Sequence, residues 1–545
     1  MKSKNIIVLL LISFCCLVVV SCKKDDSSKN KKIFRYNESA NISSLDPAFA
    51  KDQAMIWADN QIFNGLLQLD SSLNVQPCIA KSYQISEDKL TYTFHLRNDV
   101  FFHDSPLFNG KKRKVVANDF VFSFNRIVDN KLASPGAWVF DKVKQNNHIY
   151  CFSAINDSTL QITLKEPFSP FLQLLSMPYC YVVPKEVVNY YKDDFRKHPI
   201  GTGPFKFKFW KEGVKLVLIK NENYFEKDSL GTRLPYLDAV NISFIVDKQS
   251  VFLEFIKGNI DFISGIDPNY KDEILTRKGT LQDKYKNKIN LSTLPYLNTE
   301  YLGFYLDSKD NKNNNILLDK RIRQAINYGF DREKMIKYLR NNIGKAGIYG
   351  IIPQGLGGFD SNGNKYSYNP QKAKQLLIDA GYFSSKKSPT ITLATTSAYL
   401  DLCKYIQGQL ILLGMNIKVD VNPPGALREQ IAQGKSSFFR GSWIADYPDA
   451  ENYLSLFYSK NFAPKGPNYT HFSNKRFDNL YQKASKETSK DKRYALYKQM
   501  NDIIIEQAPI VVLYYDQVLR FTQKNIYGLH SNPMNLLTLK TVKKK

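Results

Sequence analysis

Hydrophobic positions along this chain change their period many times, and each change marks an element. Ile33-Phe34-Arg35-Tyr36 alternates and predicts a short strand, and Ser44-Leu45-Asp46-Pro47-Ala48 predicts a turn into a helix. Met55, Ile56, Ile62, Phe63 and Leu66 recur at helical spacing, so a helix is expected over Met55 to Leu67, ending near Gly65. Leu90 to Arg97 alternates, with Tyr92, Phe94 and Leu96 on one face. Asn118 is the expected cap of a helix over Phe120 to Val128. Phe205 to Phe209 and Lys215 to Lys220 predict a hairpin around Gly213. Arg321 to Leu339 carries Ile322, Ala325, Ile326, Met335, Ile336 and Leu339 near helical spacing, with a second helix opening at Asp331, and Lys372 to Ala380 is a helix stopped by Gly381. Helices and strands mix without regular alternation and without an internal repeat. That pattern points to α/β lobes assembled from discontinuous segments.

Length and composition fit this picture. A chain of 545 residues, 43% hydrophobic, buries sizeable cores and divides into more than one lobe. Its first residues read as a processing segment. Lys2 and Lys4 precede an apolar run from Ile6 to Val20, which is shorter than the roughly 18 residues of a spanning helix and so fits a signal peptide over 1–21. Val19-Val20-Ser21-Cys22 resembles the lipobox of bacterial lipoproteins, which implies lipidation of Cys22 and an anchor on the cell envelope; the alternative is a cleaved, soluble secreted protein. Residues 22–32 then read as a flexible tether. Within it, Lys23-Lys24-Asp25-Asp26 resembles a surface-export signal of some Bacteroidetes lipoproteins.

Beyond Cys22, the remaining Cys78, Cys151, Cys180 and Cys403 show no CxxC spacing, and the six histidines form no pair at ligand spacing, so no metal or cofactor is expected. A Cys151–Cys180 disulfide is compatible with an oxidising compartment. The net charge of +25 raises nucleic acid as a partner, and Lys111-Lys112-Arg113-Lys114 is the run that a motif search would select. The excess is nevertheless lysine dispersed beside asparagine, which reads as solvated surface, and nucleic acid is not expected. Gly201-Thr202-Gly203-Pro204 lacks the Gly-Lys-Ser/Thr of a phosphate loop, and Pro204 removes an amide donor, so a turn is expected there. There is no Gly-x-Ser-x-Gly elbow and no His-Glu-x-x-His, and Asp446 with Asp449 makes a poor glycosidase dyad. An enzyme is not expected; a surface hydrolase remains the alternative of a different class.

A set of ordered blocks carries a family resemblance. Phe63-Asn64-Gly65-Leu66-Leu67, Pro77 to Tyr83, Tyr92 to Arg97 with Val100 to Asp104, and Val116 to Phe124 come first. Pro199 to Phe205, Asn223-Tyr224-Phe225, Asp319 to Tyr328 and Tyr368-Asn369-Pro370 through Ala380-Gly381-Tyr382 follow. In this order they resemble the oligopeptide and dipeptide solute-binding proteins of ABC importers. The resemblance implies an α/β, two-lobe, type II periplasmic-binding-protein-like fold with a hinge and an extra subdomain inserted in lobe I. It places lobe I over 33–290, with the insertion at about 61–189, lobe II over 291–509, and a return to lobe I over 510–545. The partners implied are a peptide ligand, an ABC permease and ATPase complex, and the membrane reached through the lipid anchor, with the protein itself a monomer.

Arg440-Gly441-Ser442-Trp443-Ile444-Ala445-Asp446-Tyr447-Pro448-Asp449 is the stretch on which function turns. Locally, Asp446 is either a turn cap or a charge held for a cationic ligand group. A peptide ammonium enclosed in a cleft requires a paired carboxylate. The resemblance gives that role to Asp446, with Trp443 walling the pocket and Ala445 counted among the ligand-binding residues. Arg440 matches a residue that takes a ligand carboxylate in some members, the alternative being a solvent-exposed arginine. Trp138 reaches the cleft from lobe I or is a buried core tryptophan. Asp449 is expected to serve the turn. Some relatives have a disulfide cysteine where Ile444 stands, so that bridge is impossible here. The same fold accommodates a nickel chelate, an oligosaccharide or another solute, or a signalling or adhesion role.

Overall fold

The computed structural model describes residues 31–267, 270–307, 316–363, 365–384 and 389–545. The signal peptide, Cys22 and all but the end of the tether lie outside the described residues.

Two long strands join the two halves of the molecule. Ile289–Phe304 and Ile510–Gln523 run antiparallel, and each contributes one end to each half. At one end Ile263 pairs with Phe521, extending the sheet through Ile33–Asn37, Ala239–Ser243, Lys215–Lys220 and Phe205–Lys211. At the other end Asn298–Phe304 pairs with Phe438–Ile444, and the sheet continues through Thr390–Thr395 and Asn416–Val421. The ladder of the two long strands breaks in the middle: Pro295 opposes Gln517 but Thr299 opposes Tyr515, so three residues on one strand face one on the other. A proline without an amide donor and an irregular register interrupt the ladder at this point of the crossing.

Each half has its own core. Phe34, Tyr36, Trp57, Phe94, Phe124 and Phe262 belong to one large buried cluster, and Leu302, Ile326, Leu393, Ile406 and Phe438 belong to another. On the first side a separate antiparallel sheet, Ala80–Ile85, Thr91–Leu96, Thr159–Thr163 and Phe152–Asn156, forms the extra subdomain. Tyr92, Phe94 and Leu96 are all buried on one of its faces, as their alternation predicts.

Local chemistry explains where the elements differ from expectation. The first long helix spans Gln53–Ile62, because the Asp52 side chain caps it by accepting from the Met55 amide at 3.1 Å. It stops short of Leu67, which opens a strand. The helix expected from Phe120 begins at Ala117, and its cap is not Asn118. Val116 stands at the cap position and the Asp119 carboxylate folds back to its amide at 2.9 Å. In the nearby basic run, Arg113 is tied to Asp119 at 2.6 Å and to Glu186 at 2.8 Å, and the three lysines are exposed. Gly201 and Gly203 serve close packing: a Cβ on Gly201 would meet the Ile62 carbonyl oxygen at 2.0 Å. Cys78, Cys151, Cys180 and Cys403 are all free thiols, so Cys151 and Cys180 are not bridged. Among the described residues no helix is long and apolar enough to cross a membrane.

Candidate ligand-binding site

The strand Phe438–Ile444 delivers the candidate residues to the cleft. As it leaves the sheet, the Ala445 amide donates to the Leu297 carbonyl at 2.9 Å, within the irregular part of the crossing. The following turn is fixed by Asp449, whose carboxylate accepts from the Glu451 amide at 2.9 Å and the Tyr497 hydroxyl at 2.6 Å. Arg493 approaches it at 3.5 Å. Asp449 therefore holds the loop together and takes no part in the cavity lining.

Asn452 positions the acid. Its side-chain amide donates to Asp446 Oδ2 at 3.1 Å, while its carbonyl oxygen accepts from the Asp446 amide at 3.1 Å and from Trp443 Nε1 at 2.8 Å. One buried asparagine thus orients both the carboxylate and the indole. Asp446 is open to the cleft yet ringed by protein. That burial pushes its carboxyl above the ordinary range, with the Asn452 amide pulling the other way. Among the described residues the Asp446 carboxylate has no cationic partner within ion-pair distance.

Two cavities meet at this acid. The larger, about 1030 Å³, has Trp138 and Lys165 on one side and Trp443, Asp446 and Asn452 on the other. The smaller, about 380 Å³, is largely apolar and is lined by Trp57, Tyr179, Tyr296, Ala445 and again Asp446. The smaller volume lies within the range of small-molecule sites and the larger at its upper limit. Trp138 is 37% exposed and faces Tyr447 with ring centroids 6.2 Å apart, so it is a cleft residue of the first half and not a core tryptophan. Trp443, Ala445, Asp446 and Trp138 are thus brought together.

Arg440 is not among them. Its guanidinium pairs with the buried Glu300 across the strand ladder and lies 3.3 Å from the Tyr399 ring centroid. Neither the ligand-carboxylate role nor a solvent-exposed arginine describes this placement. Burial raises the Glu300 carboxyl, and Arg440 opposes that shift. Sequence reasoning also missed Glu451, which is buried and accepts hydrogen bonds from the Tyr447 and Tyr481 hydroxyls. It missed the contacts that span the cleft as well: Glu166 bridges Lys142 at 2.6 Å and Lys486 at 3.3 Å, and the Ser169 amide donates to the Ser485 carbonyl at 3.0 Å. Among the described residues no group of three His, Cys, Asp or Glu side chains is placed to hold a metal ion.

A model of the middle region of bacterial extracellular solute-binding proteins, family 5, matches residues 74–465. The chain belongs to that family. Family 5 proteins are substrate-binding components of ABC importers and not enzymes, and the family implies a place in the cell envelope. Relatives include the dipeptide-binding protein of Escherichia coli (strain K12), 27% identical over 492 residues and 87% of each chain. The glutathione-binding protein of Shigella flexneri is 26% identical over 501 residues and 91% of each chain. Among solved structures, the periplasmic binding protein DppA of Helicobacter pylori in complex with the peptide STSA matches with a TM-score of 0.76 and 27% identity, covering 95% of this chain and 99% of that one. NikZ from Campylobacter jejuni in complex with Ni(L-His) shares the fold with a TM-score of 0.73 at 24% identity, covering 93% of this chain and 97% of that one. The fold is the two-lobe type II periplasmic-binding-protein fold.

Proposed function

We propose that this family 5 protein captures peptides by closing its two lobes around them, with Asp446 pairing the peptide ammonium. The carrying observation is an acid oriented by Asn452, open to two cavities and without a cationic partner among the described residues. A carboxylate placed in this way is incomplete until a cation arrives. Trp138 and Trp443 flank the larger cavity from opposite lobes, so a ligand contacts both only when the lobes approach, which shifts the open and closed populations. Extended backbone held by strand-like hydrogen bonds would leave side-chain identity loosely specified. The peptide and glutathione ligands named for the relatives support this reading.

The proposal extends to a Cys22 lipid anchor, a monomeric receptor and delivery to a permease and ATPase complex. Calorimetry of the mature protein with tri-alanine tests the ligand class. Saturable binding with one site supports the reading, whereas heat with a nickel chelate or an oligosaccharide and none with peptides overturns it.

A further inference from the structure

The larger cavity is lined by five lysines and four carboxylates, and the inference drawn from this imbalance rests on the peptide reading above. Of its acids, Glu166 is committed to Lys142 and Lys486, and Glu451 to two tyrosine hydroxyls. Asp141 and Lys165 offset one another without forming an ion pair. One open acid, Asp446, shares this lining with two lysines, Lys460 and Lys465, that have no ion-pair partner among the described residues.

These lysines stand on a fixed loop. The Gly466 amide donates to the Phe462 carbonyl at 3.0 Å, and the buried Asn468 side chain donates to the Tyr458 carbonyl at 3.2 Å and the Phe472 carbonyl at 3.0 Å. Lys165 faces the same cavity from the opposite lobe. Closing the lobes encloses Lys460 and Lys465 with no carboxylate paired to them, which favours an anion beside them. A peptide with neutral side chains supplies one cation for Asp446 and one carboxylate for two lysines. A peptide with an acidic side chain supplies the second anion.

We propose that Lys460 and Lys465 make this receptor selective for peptides that carry an acidic side chain in addition to their terminal carboxylate. The lysines are exposed and wet, so the effect is moderate: about twofold to fivefold in affinity at low ionic strength. Salt of about 0.5 M reduces it by screening.

The test is calorimetry of the mature protein with Ala-Ala-Gln and Ala-Ala-Glu, which are matched in size. Tryptophan fluorescence serves as a second readout, because Trp138 and Trp443 line the cavity. The expected result is tighter binding of Ala-Ala-Glu by that factor, and a ratio near one in the Lys460→Ala/Lys465→Ala double variant. Equal affinities in the unsubstituted protein, or a preference that survives in the double variant, overturn the proposal while leaving the peptide reading intact. Failure of both peptides to bind overturns the peptide reading itself.

Discussion

Asn452 and Asp446 grip each other twice: the asparagine amide donates to the carboxylate and the asparagine carbonyl accepts from the aspartate backbone, both at 3.1 Å. The same carbonyl oxygen holds the Trp443 indole at 2.8 Å. An acid so fixed has lost its freedom before any ligand arrives, which lowers the cost of ordering it on binding.

Replacing Asp446 by Asn keeps the size and the Asn452 contacts but removes the charge. Losing one partner of an enclosed charge pair costs about 2 to 5 kcal/mol, so tripeptide affinity in calorimetry is expected to fall about thirtyfold or more. The unliganded variant is expected to melt higher than the parent at neutral pH. Burial raises the Asp446 carboxyl in the folded state, so just above pH 4 the folded protein keeps a proton that the unfolded chain has released, and stability falls as pH rises. A lower melting temperature together with unchanged affinity would contradict both expectations.

Ligand affinity carries the opposite pH sign. Binding needs Asp446 ionised and the peptide amine protonated, so affinity is full near neutrality and lost as pH falls through the raised carboxyl pKa. Titrating peptide affinity between pH 7 and pH 4 should show the loss beginning above the ordinary carboxylate value of about 3.9, and the Asp446→Asn variant should lack this inflection.

Arg440→Ala is expected to act on stability first. It strands the buried Glu300, so chemical denaturation should show a loss of about 3 to 5 kcal/mol. The Arg440→Met/Glu300→Gln pair should recover much of it. A stable Arg440→Ala protein that has lost only peptide binding would return this arginine to the site.

Glu166 and Lys486 pair across the cleft at 3.3 Å without touching Asp446, so on the proposed hinge mechanism this contact favours the closed form. Lys486→Ala should weaken peptide binding by about twofold to fivefold, the share of one exposed ion pair, and should raise the radius of gyration of the unliganded protein in solution scattering. An unchanged radius would show that this contact does not set the lobe equilibrium.

Much of this site was legible because its chemistry is local. Trp443 to Asp449 lie within one strand end and one turn, and the turn acid Asp449 and the cleft acid Asp446 were separable by the ordered blocks around them. Arg440 was not legible, since its partner Glu300 lies 140 positions away and meets it only through strand pairing. Asn118 lost the cap to Asp119 because a carboxylate reaching back three residues also engages Arg113. Lys460 and Lys465 read as ordinary solvated lysines, because nothing in a dispersed lysine excess tells which side chains border a cleft. The hairpin around Gly213 followed directly from alternation and turn residues, whereas the two-lobe division came through the family resemblance.

The central claim is that Asp446 receives a peptide ammonium. It is tested most directly by calorimetry with tri-alanine and with N-acetyl tri-alanine, side by side on the mature protein at pH 7. The structure predicts that acetylation, which removes the charge and leaves the backbone unchanged, weakens binding about thirtyfold or more. Equal affinity for the two peptides would contradict it.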